Sequence, residues 1–205
     1  MTEISSSIAF YIDFAKSTGR EIEYKEIPYP SNFVERVVYQ KRTVLIPMDL
    51  EKRDLFLSYY DPKGFSERNF YSGVFSNIDK LNQKRITIKK KYLIHRINIF
   101  QSKKGLITIG NNFDKEILIE SDTSENQEIN FLNDYEIQGL ILDLFKIDER
   151  LRIGLNDLRN NFETSLKDTS NIGIYLIQDW LFDREKIESI YRIFLKLRAL
   201  IENKK

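Results

Sequence analysis

Between Glu21 and Glu120 the chain reads in steps of two. The runs EIEYKEI, RVVYQ, TVLIPM, LFLSYY, SGVFSNI, KRITIK, YLIHRINIF, LITIG and KEILIES are short, rich in β-branched and aromatic residues, and separated by turn residues. That pattern predicts strands. Pro28, Pro30 and Pro47 belong at sheet edges or connections, because proline has no N–H to give a ladder. DPKG at 61–64 reads as a turn.

Helical periodicity flanks this block. Ile4, Ile8, Tyr11, Ile12 and Ala15 predict a helix over 3–17 that stops at Gly19, with Phe10 and Phe14 on a neighbouring face. Downstream, Asn133 followed by Glu136 has the spacing of a capping box. Ile137, Leu140, Ile141, Leu144 and Phe145 then form one apolar stripe. RLRIGL and IGIYLIQDWL read as two more strands. A last helix starts at Asp183 and turns Ile187, Ile190, Tyr191, Phe194, Leu197 and Ile201 inward. The expected class is α+β: a largely antiparallel β-sheet in the middle of the chain, an N-terminal helix and two C-terminal amphipathic helices. One domain over 1–205 is expected, with a subdivision near 121–132 into a β-rich half and a helix–strand–helix half.

Charge narrows the function classes. The 32 basic and 31 acidic residues leave a formal charge of +1, so the chain as a whole does not attract nucleic acid or anionic lipid. Without cysteine there is no disulfide, thiolate nucleophile or zinc–thiolate site. The start of the chain lacks a basic region before its short apolar run Ile8 to Ile12, and no stretch reaches the ~20 apolar residues that span a bilayer. A soluble, cytoplasmic protein is expected.

The single histidine lies in KKKYLIHRINIFQSKK, residues 89–104, within a stretch from Lys84 to Lys104 that holds eight lysines and arginines and no acid. If Tyr92 to Phe100 is one strand, His95 shares a face with Leu93, Ile97 and Ile99 and points toward the core. The opposite face sets Tyr92, Arg96 and Phe100 in a row, the arrangement of a stacking platform for single-stranded nucleic acid. Lys89, Lys90, Lys91, Lys103 and Lys104 are placed to hold phosphates at its ends. Against this, lysines at strand ends also guard exposed edges. From Asp114 to Glu136 there are eight acidic residues and one lysine, enough to neutralise a neighbouring basic strand.

Catalytic signatures are missing: no glycine-rich phosphate loop, zinc-protease helix or nucleophile elbow occurs. ESDTSENQE at 120–128 lacks the spacing of a calcium loop. Asp179 and Asp183 read as a strand end and a helix cap. No catalytic, cofactor-binding or metal-binding residue is assigned from sequence, and no cofactor is expected. Trp180 is expected to pack between the last helix and the sheet.

GNNFDKEILIESD, residues 110–122, followed by a capped helix, a strand pair and a terminal amphipathic helix, resembles bacterial α+β domains of no assigned activity. In these domains an F-D-K strand ends a β-rich half. Such domains often stand beside membrane helices, whereas this chain has no transmembrane run. The resemblance implies the fold and no residue's role. The function expected is therefore a non-catalytic protein-binding, accessory or immunity-type factor, whose partner is another protein or a second copy. The alternatives are a nucleic-acid-binding module built on the basic strand 84–104 and an enzyme with a small-molecule pocket.

Overall fold

The computed structural model describes residues 6–30, 38–62, 70–78, 85–92, 105–110, 112–121, 126–157 and 170–203; the side chains at 29, 30 and 126–129 are outside that description. In chain order the described elements begin with α1 (Ser6–Thr18), β1 (Glu23–Pro30), β2 (Val38–Pro47), β3 (Asp54–Tyr60), β4 (Phe70–Asn77), β5 (Ile86–Lys90) and β6 (Leu106–Ile107). They continue with the one-turn helix α2 (Phe113–Glu116), β7 (Ile117–Ser121) and a 3-10 helix (Asn126–Asn133). The last are α3 (Tyr135–Ile147), β8 (Arg152–Leu155), β9 (Asn171–Ile177) and α4 (Arg184–Asn203). Every strand pair with a defined register is antiparallel, which makes this an α+β protein as the periodicities predict.

The chain divides into two compact units, one of residues 1–75 with 176–187, the other of 76–175 with 188–205. The division passes through β4, β9 and α4. The stretch 121–132, where sequence suggests a subdivision, lies inside the second unit.

In the first unit, α1 ends in a Schellman motif: Arg20 N–H donates to Ala15 O (2.9 Å) and Gly19 N–H to Lys16 O (3.2 Å). Gly19 takes φ +67°, a backbone that glycine adopts without a Cβ penalty. Ile8, Tyr11, Phe14 and Ala15 are buried, so the covered face is wider than the stripe read from sequence and includes Phe14. Tyr11 and Phe14 pack on Phe56 of β3 at 5.3 and 6.4 Å between ring centroids. The end of RVVYQ from Val38 and most of TVLIPM lie in the one strand β2. Trp180 packs among Tyr11, Phe70 and Phe182 and donates its indole N–H to Tyr59 O (3.3 Å). Its ring partners thus come from α1, β4 and its own segment.

In the second unit the strand order is β9-β8-β5-β7-β6. Ile88 of β5 lies between Ile119 of β7 and Ile153 of β8, and all three are buried. The first two residues of KEILIES, Lys115 and Glu116, end α2 and the strand starts only at Ile117, while LITIG is a strand only over Leu106–Ile107. The cap of α3 is Asp134, one residue beyond the expected Asn133; its carboxylate accepts from Glu136 N–H (2.6 Å) and Ile137 N–H (3.4 Å). Asp134 is the residue with the extended backbone an N-cap needs, whereas Asn133 still belongs to the 3-10 helix. Asp183 caps α4 as expected, accepting from Lys186 N–H at 3.0 Å. Ile190, Tyr191, Phe194, Leu197 and Ile201 on that helix are buried.

Candidate interaction surface

The basic stretch lies partly within the described residues. Lys89 and Lys90 are in β5, and Lys91 and Tyr92 follow it. Lys89 Nζ sits 2.8 Å from Glu120 Oε1, the pairing expected between the basic and acidic runs. That pairing needs no intermediate strand, because β5 and β7 are direct neighbours. Lys91 Nζ donates to Asp114 O (3.3 Å) and Tyr92 OH to Glu149 O (3.0 Å). Burial raises the Tyr92 phenol, with Glu149 and Asp148 adding to the shift. His95, Arg96, Phe100, Lys103 and Lys104, and the expected strand Tyr92–Phe100, lie outside the described residues apart from Tyr92, which belongs to no strand.

Within F-D-K, the aspartate has a structural task. Asp114 accepts from the N–H groups of Ile109 (2.9 Å) and Gly110 (2.6 Å), while Phe113 is buried. The motif ties the turn after β6 to the start of β7.

Two buried polar clusters do similar work. In the second unit, Asp157 accepts from Arg85 Nε with one carboxylate oxygen and from the Tyr175 hydroxyl with the other. Burial, then the charge of Asp157, raises the Tyr175 phenol well above its ordinary value. Gly154 makes this possible: a Cβ there would lie 2.7 Å from Asp157 Cβ and 3.0 Å from both Tyr175 Cε1 and its hydroxyl oxygen. In the first unit, the Tyr11 hydroxyl faces Ser58 and Ser72. Burial raises this phenol, the neighbouring Ser58 hydroxyl opposes the shift, and the Asp179 charge reinforces it. Ser72 Oγ accepts from Leu181 N–H (2.8 Å), which fixes the chain after Trp180.

The ribbon of β1 and β2 carries exposed apolar residues. Neither face is fully covered: toward the far end Ile27 is 38% exposed, Val38 56% and Tyr39 40%, and at the near end, opposite Val44, Tyr24 is 46% exposed. The register of Glu23↔Leu45 through Pro30↔Val38 is unbroken, so parity assigns Tyr24 and Val38 to one face and Ile27 and Tyr39 to the other. A polar group borders the second face. Lys41, opposite Ile27, lies 3.2 Å from Asp61 Oδ2 and 5.4 Å from the centre of the Tyr59 ring. Burial works against the Lys41 ammonium, but the Tyr59 and Asp61 interactions prevail and its pKa is raised.

The open side of β1 follows from the hydrogen bonds. The β2–β3 register continues past Pro47↔Leu55 to Met48, whose N–H donates to Asp54 O (2.8 Å). Even-numbered residues of β2 therefore bond toward β3 and odd-numbered ones toward β1. Through the β1–β2 register, Glu23, Lys25, Ile27 and Tyr29 bond inward, and Tyr24, Glu26, Pro28 and Pro30 present their backbone outward. Both prolines thus remove their N–H on the outer side, which explains how a central-looking run tolerates them. The outer edge keeps donors only at Tyr24 and Glu26 within the strand. The prolines announce an edge in the sequence, whereas the exposed apolar residues beside them have the composition of ordinary strand formers.

No family model and no curated protein matches the chain. Among solved structures, it is similar to the mycobacterial trehalose monomycolate transport factor A, TtfA, with a TM-score of 0.47 and 10% identity over 92% of this chain and 90% of that one.

Proposed function

We propose that this protein is a non-catalytic accessory factor that binds another protein chain through the β1–β2 ribbon. The observation that carries the reading is the exposure of Tyr24, Ile27, Val38 and Tyr39 on both faces of one ribbon. Paired strands ordinarily bury one apolar face, and clustered exposed apolar residues with a polar border are the composition of a recognition surface. Aromatic residues dominate such contacts because they bury large area at small rotamer cost. The Lys41–Asp61 pair supplies the polar border on one face.

The test is a photo-crosslinking amino acid at Tyr39 in cells of the source organism. The control places the same residue at Tyr135, which is 83% exposed but remote in sequence from the ribbon. Discrete adducts from position 39 that are absent from position 135 are expected. Equal labelling at both positions, or none at 39, refutes the reading. The mass of the adduct distinguishes a second copy of this chain from a different protein.

A further inference from the structure

We propose that the Glu23–Glu26 half of β1 pairs antiparallel with the same segment of a second copy, in the register that sets Tyr24 against Tyr24. This names the partner for the ribbon and rests on the reading above. Three observations carry it. The outer backbone groups of Tyr24 and Glu26 are the donors that the strand keeps on that side, while Pro28 and Pro30 close the other half to a neighbour. Glu23, Tyr24 and Lys25 are exposed. Glu26 is held to its own unit by Arg42 Nε at 2.9 Å, which keeps this end of the ribbon rigid.

Charge then selects the register. A two-fold axis normal to the sheet keeps like faces together, so directly opposed residues have the same parity, and outward groups must meet outward groups. An axis at Lys25 opposes two lysines, and an axis at Glu26 opposes two glutamates; like charges directly opposite are destabilising. With the axis at Tyr24, Lys25 of each copy faces Glu23 of the other, giving two reciprocal ion pairs. The four outward amides of Tyr24 and Glu26 all find carbonyls, at Tyr24 and Ile22 of the opposite copy. The two Tyr24 rings lie side by side on one face. So short a pairing buries far less than the ~800 Å² each partner gives a stable interface, so the dimer is weak and forms with rising concentration.

Sedimentation velocity of the full chain across a concentration series tests this. The wild type should pass from monomer to dimer. Lys25→Glu, which turns both ion pairs into repulsions, should raise the dissociation constant about tenfold. The double variant Glu23→Lys/Lys25→Glu should restore it, a rescue that a misfolded protein cannot give. Glu26→Pro, which fits an edge strand with its nitrogen outward, should also weaken the dimer. A monomer at every concentration, or a dimer that ignores Lys25→Glu or is not rescued by the exchange, overturns the proposal. If the dimer fails while position 39 still gives adducts of other masses, the protein-binding reading stands and only the identity of the partner falls. If both fail, the ribbon is not a binding surface.

Discussion

Replacing Gly154 by alanine adds one methyl group at a place with no room for it. The new Cβ lies 2.7 Å from Asp157 Cβ and 3.0 Å from the ring and hydroxyl of Tyr175. Carbon atoms prefer ~3.5–4.0 Å, so the neighbours must yield by about 0.5–1 Å. They have little freedom to yield. Tyr175 is fully buried in β9, and Asp157 is held at one oxygen by Arg85 and at the other by Tyr175. Overpacking of this kind costs about 1–3 kcal/mol. Displacing the Tyr175–Asp157 hydrogen bond, which ends on a charged group, adds about 1.5–3 kcal/mol. The reduced freedom of the unfolded alanine chain returns about 0.4–1 kcal/mol. The net expectation is a loss of about 1.5–5.5 kcal/mol, read as a lower urea midpoint with an unchanged slope. In Tyr175→Phe, which removes the crowded oxygen and its hydrogen bond, the same alanine should cost about 1.5–3 kcal/mol less, because contacting residues do not add. A Gly154→Ala protein within about 0.5 kcal/mol of wild type refutes this account of the β8–β9 packing.

Alkaline pH should unfold the protein steeply. Burial raises the phenols of Tyr11, Tyr71 and Tyr175 above their ordinary value of 10.0, so above that pH the unfolded chain releases these protons while the folded one keeps them. Their stabilisation is complete below pH 10 and falls as pH rises, by about 1.4 kcal/mol per pH unit for each tyrosine. Absorbance of tyrosinate should show these three ionising together with the loss of circular dichroism; smooth titration of all 11 tyrosines before unfolding contradicts it. Asp134→Ala should cost about 1 kcal/mol by removing the cap of α3, whereas Asn133→Ala should cost under about 0.5 kcal/mol, compared by urea denaturation.

The helices were legible because their stripes are long. Ile187, Ile190, Tyr191, Phe194, Leu197 and Ile201 repeat at a spacing that only a helix brings to one side, and all are buried. Strand positions were also legible, since period two survives in even a five-residue run such as β5. Strand neighbours were not. Pairing β5 with both β7 and β8 depends on tertiary contacts between segments far apart in sequence, which local periodicity does not encode. The cap of α3 was displaced by one residue because Asn133 and Asp134 have similar cap preferences and only the backbone at 134 is extended. The ribbon was half legible: Pro28 and Pro30 marked an edge, but Ile27, Val38 and Tyr39 have the composition of any core-facing strand. Which apolar residues remain uncovered is decided by tertiary packing, and no sequence run states it.

The most direct test of the central claim is amide exchange at single residues of β1. In dilute protein, Lys25 and Ile27 should be protected by their bonds to β2, and Tyr24 and Glu26 should exchange freely. Raising the concentration of the chain should slow exchange at Tyr24 and Glu26 and leave Lys25 and Ile27 as they were. If Tyr24 and Glu26 are already protected in dilute solution, the outer edge of β1 is not open and the account of this surface fails.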